Sequence, residues 1–250
     1  MKKIVVVGAS TGLGRCIGTG LAARGHQVTL MARRYEKLEG AVAEAGGNAT
    51  AVACDATDPQ SCTQAFDAAA EAMGGIDSVV YAAAVGPITR LTETTPEQWI
   101  TTFSTNVIGA NNVTQAALRH LEPGSANVLY LSTTGASYTP PWPGLAVYQT
   151  TKAALNHLVE AWRDEVPGVN FMRITIGECT GGEGDGQSHF NVGWDMELMG
   201  EMAPAWIQRG YMNLGFIDIE HLIDAFDFAV RSGTSMQMPS LTIIPRPPLG

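Results

Sequence analysis

The sequence predicts an α/β fold, a doubly wound parallel sheet of about seven strands with helices on both faces. The first observation is that short runs rich in β-branched residues alternate with longer stretches compatible with helix, as in parallel sheets. The strand candidates are Ile4 to Val7, Gln27 to Met31, Ala49 to Ala53, Ser78 to Tyr81, Asn127 to Leu131, Asn170 to Ile176 and Leu241 to Ile244.

Helix-start signals are the second observation. Thr95-Pro96-Glu97-Gln98 offers an N-cap, a proline at the first helical position and a glutamine three residues past the cap. This pattern predicts a helix that runs to about Leu121, and a further helix opens near Asp218. Residues 177–193, rich in glycine and polar groups, are predicted to form a loop.

Composition narrows the class of protein. The chain has 250 residues, of which 45% are hydrophobic and 16% charged, and this predicts a single domain over residues 1–250. A net charge of −9 with scattered Lys and Arg argues against nucleic acid and anionic membranes as partners. Apolar runs are too short for a signal peptide or a membrane span, so we expect a cytoplasmic protein. The four cysteines and five histidines show no ligand spacing, so no metal site is expected.

A glycine-rich turn directly follows the first strand candidate. In it, Gly8 permits a tight turn, Gly12 lets the backbone approach a pyrophosphate, and Gly14 allows close packing of the next helix. The N-terminus of that helix attracts phosphate. Ser10, Thr11 and Leu13 complete the predicted dinucleotide site, and the alternative is a tight turn with no ligand.

The end of the second strand bears on the choice of coenzyme. Ala32 stands where an NAD-selective site places a carboxylate, and Arg33 and Arg34 follow. A guanidinium can pair with a 2′-phosphate, which favours NADP(H) over NAD(H). Alternatively, both arginines are solvated residues at a helix start. Asp55, after the third strand, is either an acceptor for the adenine amino group or a turn carboxylate.

Tyr148 lies sixteen residues after Ser132, and Lys152 follows Tyr148 by one helical turn. Side chains at i and i+4 share a helix face, so the ammonium can lie beside the phenol. An ion pair near 5 Å at an effective dielectric of about 20 contributes roughly 3 kcal/mol, or about two pK units off the phenol. The sequence therefore predicts an oxidoreductase in which Tyr148 is the acid.

These segments together resemble the short-chain dehydrogenase/reductase family, in its shorter single-domain branch, over most of the chain. The turn from Gly8 to Gly14 is similar to the family's T-G-x-x-x-G-x-G, with Val7 in place of the threonine. The other matching segments are Asp55-Ala56 for adenine, Asn106 in Thr105-Asn106-Val107, Ser132-Thr133-Thr134-Gly135, and Tyr148-Gln149-Thr150-Thr151-Lys152.

The resemblance implies a Rossmann-like fold and a hydride transfer between nicotinamide C4 and a carbonyl carbon. In that scheme Tyr148 exchanges a proton with the substrate oxygen, which Ser132 also hydrogen-bonds. Lys152 lowers the pKa of the phenol and binds the nicotinamide ribose, and Asn106 connects Lys152 to solvent through water. A small carbonyl or alcohol substrate and a homodimer or homotetramer, formed through helices around 96–121 and 146–165, are also implied.

Several segments depart from the family pattern, and two of them bear on the predicted cofactor site. Tyr81-Ala82-Ala83-Ala84 replaces the usual Asn-Asn-Ala-Gly, although the small Ala82 and Ala83 still allow the cofactor to approach. Ile176-Gly177 replaces Pro-Gly, with Thr180 near the place of the threonine that binds the nicotinamide carboxamide.

Large apolar side chains concentrate in residues 190–212. They predict a substrate lid around residues 178–213 over a hydrophobic ketone or alcohol; alternatively they pack a short helix pair against the core. They are Phe190, Trp194, Met196, Met199, Met202, Trp206, Tyr211 and Met212. The competing function is a non-catalytic NADP(H)-binding redox sensor, which would have no need of Tyr148, Lys152 and Ser132 together.

Overall fold

The computed structural model describes residues 1–187, 190–212, 214–232 and 235–247. The strands are β1 (Lys3–Val7), β2 (Gln27–Ala32), β3 (Ala49–Ala53), β4 (Ser78–Tyr81), β5 (Asn127–Thr133), β6 (Asn170–Ile176) and β7 (Ser240–Ile243). They form one parallel sheet in the order β3-β2-β1-β4-β5-β6-β7. The predicted fold class is confirmed, and each strand lies within two residues of its predicted bounds.

Helices cover both faces of this sheet. They are α1 (Gly12–Ala23), α2 (Tyr35–Ala45), α3 (Pro59–Met73), α4 (Pro96–Phe103), α5 (Gly109–Leu118), α6 (Ala146–Glu165), α7 (Met196–Gln208) and α8 (Ile219–Val230). None of them, within the described ranges, is long and apolar enough to cross a membrane.

Two apolar clusters hold these layers together. Because side chains alternate along a strand, Val5 and Val7 of β1 enter one cluster while Ile4 and Val6 enter the other. The first cluster contains residues of α3, α5 and α6, and the second contains residues of α1, α2 and α8. The parallel sheet is therefore buried on both faces, as its apolar strands predicted.

The order of the strands positions the site. The chain first builds outward from β1 through β2 to β3, and then continues on the other side of β1 with β4. At such a reversal the connections diverge, and ligands of open α/β sheets bind at the carboxyl ends of the strands there. Val7 and Tyr81, which pair at the ends of β1 and β4, mark this crevice.

The predicted capping box at the start of α4 is present. The Thr95 hydroxyl accepts from the Gln98 backbone N–H at 3.3 Å, and the Gln98 side chain accepts from the Thr95 N–H at 2.9 Å. The helix does not run unbroken to Leu121, because residues Ser104–Ile108 form a π-helical turn and α5 ends at Leu118. Pro123 helps to explain why α5 ends here, because a proline disfavours helical backbone at the residue before it.

The predicted loop and lid have more structure than expected. A bridge joins Gly181 to Gln187 around a 3-10 turn, while residues 188, 189 and 213 of the predicted lid lie outside the described residues. In the described part of 190–212 there is one helix, α7, rather than a pair. Asp218 caps α8 by accepting from the Glu220 N–H at 2.8 Å, which confirms the second predicted helix start.

The capping box gives a stability prediction. Thr95→Ala removes the hydroxyl that accepts from the third N–H of α4, and we expect the free energy of unfolding to fall by about 1 kcal/mol. Urea unfolding measures it. Thr101→Ala is the matched control, since Thr101 is exposed inside α4 and alanine favours helix there. An equal loss in both variants would contradict the assignment of the cap.

Candidate functional site

Helix α6 presents Tyr148 and Lys152 to the carboxyl end of β5. The Lys152 side chain is almost fully buried, with 1% exposed, and its Nζ donates to the Leu131 carbonyl at 2.7 Å. Ser132, the next residue of β5, is also buried. The structure thus brings together the three residues that the sequence predicted as the centre of the site.

Burial sets the protonation of the pair in a way that the sequence did not predict. The Lys152 Nζ lies 5.8 Å from the centre of the Tyr148 ring. Burial lowers the pKa of Lys152 to about 7. Burial also raises the pKa of the Tyr148 phenol, and a hydrogen bond with Thr133 opposes this only in part. The expected acidic phenol is therefore wrong for this state, because desolvation disfavours the charged form of both groups.

Ser132 has a buried partner that the sequence analysis missed. Its Oγ donates to Oδ1 of Asn156 at 2.7 Å, and Asn156 is 6% exposed. Asn156 follows Lys152 by four residues and Tyr148 by eight, so all three side chains share one face of α6. That spacing was a signal that could have identified it.

Asn106 lies in the π-helical turn and is fully buried. Its Oδ1 accepts from the Val85 N–H at 2.9 Å, and its Nδ2 donates both to the Val85 carbonyl and to the Thr151 hydroxyl, each at 2.8 Å. The side chain therefore ties the segment after β4 to helix α6. The water route from Lys152 stays a prediction, since these bonds are to Val85 and Thr151.

The glycine-rich turn packs against the segment after β4. Gly8 has φ +89° and Gly12 has φ +63°, in the left-handed region that favours glycine. A Cβ on Gly8 would lie 2.5 Å from the Ala83 nitrogen, and one on Gly14 would lie 2.3 Å from the Gly8 oxygen. Ala82 is close too, 3.0 Å from the same Cβ position on Gly14. Only a residue without a side chain fits at Gly8 and Gly14.

The N-terminus of α1 opens beside two hydroxyls and a guanidinium. Thr11 is its N-cap residue but makes no side-chain capping bond, and the first turn, which includes Leu13, contains no acidic residue. The Arg34 Nη2 donates to the Ser10 Oγ at 3.0 Å and to the Thr11 Oγ1 at 3.2 Å. The dipole of α1 and the positive charge of Arg34 both favour binding of an anion at this helix N-terminus.

A buried arginine, which the sequence analysis did not identify, hydrogen-bonds the glycine-rich turn. Arg15 is 7% exposed, and its Nη1 donates to the Ser10 carbonyl at 3.4 Å and to the Lys37 carbonyl at 2.9 Å. Its Nε donates to the Glu44 carboxylate at 2.9 Å. Arg15 therefore links the turn to α2.

Asp55 accepts hydrogen bonds within its own turn. Its Oδ1 accepts from the Thr57 N–H at 2.9 Å and from the Thr57 hydroxyl at 2.7 Å. Desolvation opposes ionisation, but these bonds and the charge of Arg33 outweigh it and lower the pKa of Asp55. The following Ala56 is held by the Asn112 Nδ2, which donates to its carbonyl at 3.0 Å. Contact with adenine stays a prediction.

The segment after β6 lies beside the residues that the sequence predicted as catalytic. Ile176 pairs with Thr133 across the sheet, which places it next to Ser132. The Gly177 N–H donates to the Ile243 carbonyl at 2.8 Å, and Thr180 is exposed. The structure thus brings the predicted Ile176, Gly177 and Thr180 segment to the same sheet edge as Tyr148.

An aromatic side chain from the predicted lid covers the Tyr148 ring. The Phe190 and Tyr148 ring centres are 4.5 Å apart, and Phe190 meets Trp194 edge-on at 5.1 Å. The Trp194 Nε1 donates to the Gly86 carbonyl at 2.8 Å. A Cβ on Gly86 would lie 2.6 Å from the Phe190 ring, so glycine makes room for this contact.

The rest of the described lid packs against the segment before α6. Trp206 is buried, lies 5.4 Å from Trp142 between ring centres, and donates from Nε1 to the Pro143 carbonyl at 2.8 Å. Tyr211 stacks on Trp142, with 6.1 Å between ring centres. These residues therefore form a small core of their own next to the site.

The lowered pKa of Lys152 gives a prediction on stability. Below pH 7 both the folded and unfolded states carry the proton, so the folded protein bears the full cost of the buried charge. Between pH 7 and the usual value of 10.5, the unfolded state alone keeps the proton, and the stability of the wild type rises with pH. We expect Lys152→Met to be more stable than the wild type at pH 6 without coenzyme.

That advantage should shrink by at most about 1.4 kcal/mol for each pH unit above 7. Urea unfolding of both proteins from pH 6 to pH 10 measures the difference, in which the titration of all other groups cancels. An advantage that stays constant with pH would contradict a lowered pKa at Lys152.

Comparisons with known proteins agree with this geometry. The family model described as short chain dehydrogenase matches residues 2–184. The oxidoreductase asL5 of Sarocladium schorii is 32% identical over 177 residues, which cover 68% of this chain and 70% of the relative. Carbonyl reductase family member 4 of Danio rerio is 29% identical over 174 residues, 69% of this chain and 72% of the relative.

A solved structure extends the similarity to nearly the whole chain. A short chain dehydrogenase from Burkholderia cenocepacia J2315, in complex with NADP, is similar with a TM-score of 0.79 and 27% sequence identity. The match covers 97% of this chain and 96% of that one. The chain is therefore an oxidoreductase of the short-chain dehydrogenase/reductase family.

Proposed function

We propose that this protein is an NADP(H)-linked dehydrogenase/reductase that interconverts a ketone and a secondary alcohol of apolar character. The observation that carries the proposal is the convergence of Tyr148, Lys152 and Ser132 at the end of β5. A phenol, a buried amine and a hydroxyl in that arrangement provide an acid, a group that adjusts its pKa and a hydrogen-bond donor.

The residues of the crevice fit a dinucleotide. The glycine positions whose Cβ atoms would clash, and the α1 N-terminus with its adjacent cation, support a pyrophosphate site. When bound, the coenzyme supplies or accepts a hydride at nicotinamide C4. The residues that would hold it are Gly8, Ser10, Thr11, Gly12, Leu13, Gly14, Arg33, Arg34, Asp55, Ala56, Ala82, Ala83, Tyr148, Lys152, Ile176, Gly177 and Thr180.

The choice of NADP(H) rests on charge. Ala32 provides no carboxylate that would repel a 2′-phosphate, and Arg34 already lies against the Ser10 and Thr11 hydroxyls. Arg33 is exposed on the same strand end, where its charge reaches Asp55. Two guanidinium groups at this place suit a doubly charged phosphate. The NADP complex of the Burkholderia cenocepacia relative is consistent with this choice.

Tyr148 donates a proton to the substrate oxygen during reduction and takes one back during oxidation. The acidity of the Tyr148 phenol depends on Lys152, because a nearby ammonium stabilises the phenolate. The pKa of Lys152 is about 7, so an anionic ligand that raised this pKa would convert more of the amine to the ammonium form near neutral pH. Ligand binding would then make Tyr148 more acidic.

Ser132 and Asn106 complete the proposed machinery. The Ser132 hydroxyl would hydrogen-bond the substrate oxygen and stabilise its developing charge. Asn106 would connect Lys152 to solvent through a water molecule, and its side-chain bonds to Val85 and Thr151 hold that region of the chain in place.

The apolar character of the substrate is inferred from the surroundings of Tyr148. Phe190 packs on its ring and Trp194 packs against Phe190. The adjoining cluster contains Trp142, Trp206 and nearby methionines. Such a wall offers few hydrogen-bonding groups and adapts to irregular apolar shapes. We expect bulky ketones and secondary alcohols to be better substrates than small polar ones.

We also propose that the protein assembles as a homodimer or homotetramer. Ile100 on α4 and Ile108 in the π-helical turn are more than half exposed, as 64% and 52%. Apolar side chains exposed on these helices support association through them, as in the predicted interface.

A non-catalytic redox sensor is the competing function. Assays that follow absorbance at 340 nm distinguish the enzyme from the sensor. One assay combines NADPH with a panel of ketones, and the other combines NADP⁺ with a panel of secondary alcohols. An enzyme should oxidise one NADPH for each molecule of apolar ketone that it reduces. A protein that binds NADPH tightly but turns over no member of either panel would support the sensor.

The role of Tyr148 is tested by Tyr148→Phe. Loss of the hydroxyl should lower kcat by at least about a hundredfold, the usual scale for a positioned acid or base, while NADPH binding is nearly unchanged. Steady-state assays and fluorescence titration with NADPH measure the two quantities. Tyr130→Phe is the control, because this core hydroxyl bonds only Thr114 among the described residues, and kcat should be unaffected. Near-normal turnover in Tyr148→Phe would reject the assignment.

The coenzyme site is tested by Arg33→Ala and Arg34→Ala. Each charged hydrogen bond to a phosphate is worth about 1.5 to 3 kcal/mol, so removing one should raise the Kd for NADPH about tenfold to a hundredfold. The Kd for NADH should change little. Isothermal titration with both coenzymes measures the ratio. Equal losses for NADPH and NADH would show that the arginines are structural.

A further inference from the structure

The buried side-chain amide of Asn156 uses its oxygen in a hydrogen bond, while its nitrogen has no partner among the described residues. Its Oδ1 accepts from the Ser132 hydroxyl at 2.7 Å, while its Nδ2 is buried without a hydrogen-bond partner among the described residues. Burying an amide donor without a partner costs free energy, so a side chain of this kind usually has a reason to be polar. That reason lies in what Ser132 must do.

The hydroxyl of Ser132 has a single proton, and the bond to Asn156 uses it. In the proposed reaction this proton must instead point to the substrate oxygen, because only a donor stabilises the developing negative charge. As long as the Asn156 carbonyl holds the proton, Ser132 can offer only its lone pairs to the active site.

The Asn156 amide can resolve this conflict by a half-turn about its terminal torsion. Nδ2 then donates to Ser132 Oγ, and the Ser132 proton is free to point to the substrate oxygen. The two amide orientations have nearly the same shape, so the surrounding core need not move.

We infer that Asn156 is a positioning residue for the reaction, whose side-chain amide sets the direction of the Ser132 proton. This inference rests on the proposed function. Asn156 touches neither coenzyme nor substrate in this scheme, and its whole effect passes through Ser132. Its place on α6, one turn after Lys152, keeps the amide aligned with the same helix that carries Tyr148.

A double-mutant cycle tests whether Asn156 acts through Ser132. Ser132→Ala should lower kcat about a hundredfold to a thousandfold, as loss of an oxyanion donor does. Asn156→Ala should lower kcat by about tenfold or more, with the Kd for NADPH unchanged. In the Ser132→Ala background, Asn156→Ala should change kcat less than about twofold, because the hydroxyl that it directs is gone.

Single-turnover assays with enzyme in excess over NADPH keep these slow rates measurable. Asn170→Ala is the matched control: its Nδ2 also donates to a side chain, Asn127, but at the opposite ends of the strands. Its kcat should equal that of the wild type. If Asn156→Ala unfolds at the assay temperature, Asn156→Asp carries the same comparison, since it keeps the shape and the acceptor but cannot donate.

Near-normal kcat in Asn156→Ala would overturn the inference and leave the proposed function intact. The same fold loss in both backgrounds would also overturn it, since Asn156 would then act independently of Ser132. If instead Ser132→Ala itself kept full activity, the catalytic role of Ser132 in the proposed function would fail as well.

Discussion

The bond between the buried Lys152 ammonium and the Leu131 carbonyl is the constraint on which the site depends. A buried amine needs a polar partner, and the end of β5 provides one at 2.7 Å. This bond fixes which face of α6 meets the sheet. Tyr148 and Asn156, each one turn from Lys152, are consequently directed to the end of β5, where Ser132 lies.

Burial also shifts the pKa values of Lys152 and Tyr148 in opposite directions. The pKa of Lys152 is lowered to about 7 while that of Tyr148 is raised, so near pH 7 Tyr148 is neutral and Lys152 is about half protonated. A charged pair left in a dry pocket would be costly. In the proposed mechanism, the acidity of Tyr148 therefore depends on ligand binding.

The strands and the helix starts could be predicted because their signals are local. β-branched runs, the capping residues at Thr95 and the capping aspartate at Asp218 act within a few residues of one another. The convergence of Ser132, Tyr148 and Lys152 followed from helical spacing and from strand ends sharing one sheet edge. These features require no knowledge of how distant side chains pack.

Other features depend on contacts between distant parts of the chain. The Phe190 ring on Tyr148 and the Trp194 bond to Gly86 join segments far apart in sequence, so spacing could not reveal them. The π-helical turn around Asn106 reflects tertiary bonds to Val85 and Thr151 rather than local propensity. The expected acidity of Tyr148 was wrong because it counted the ion pair and left out desolvation of both partners.

The most direct measurement is a crystal structure of the protein with NADP⁺ and an apolar alcohol. We expect the nicotinamide ring between Tyr148 and the Ile176 to Thr180 segment, with the alcohol oxygen within hydrogen-bond reach of the Tyr148 and Ser132 hydroxyls. The 2′-phosphate should contact Arg33 or Arg34. A nicotinamide ring bound elsewhere, or a Tyr148 hydroxyl directed away from the alcohol, would contradict it.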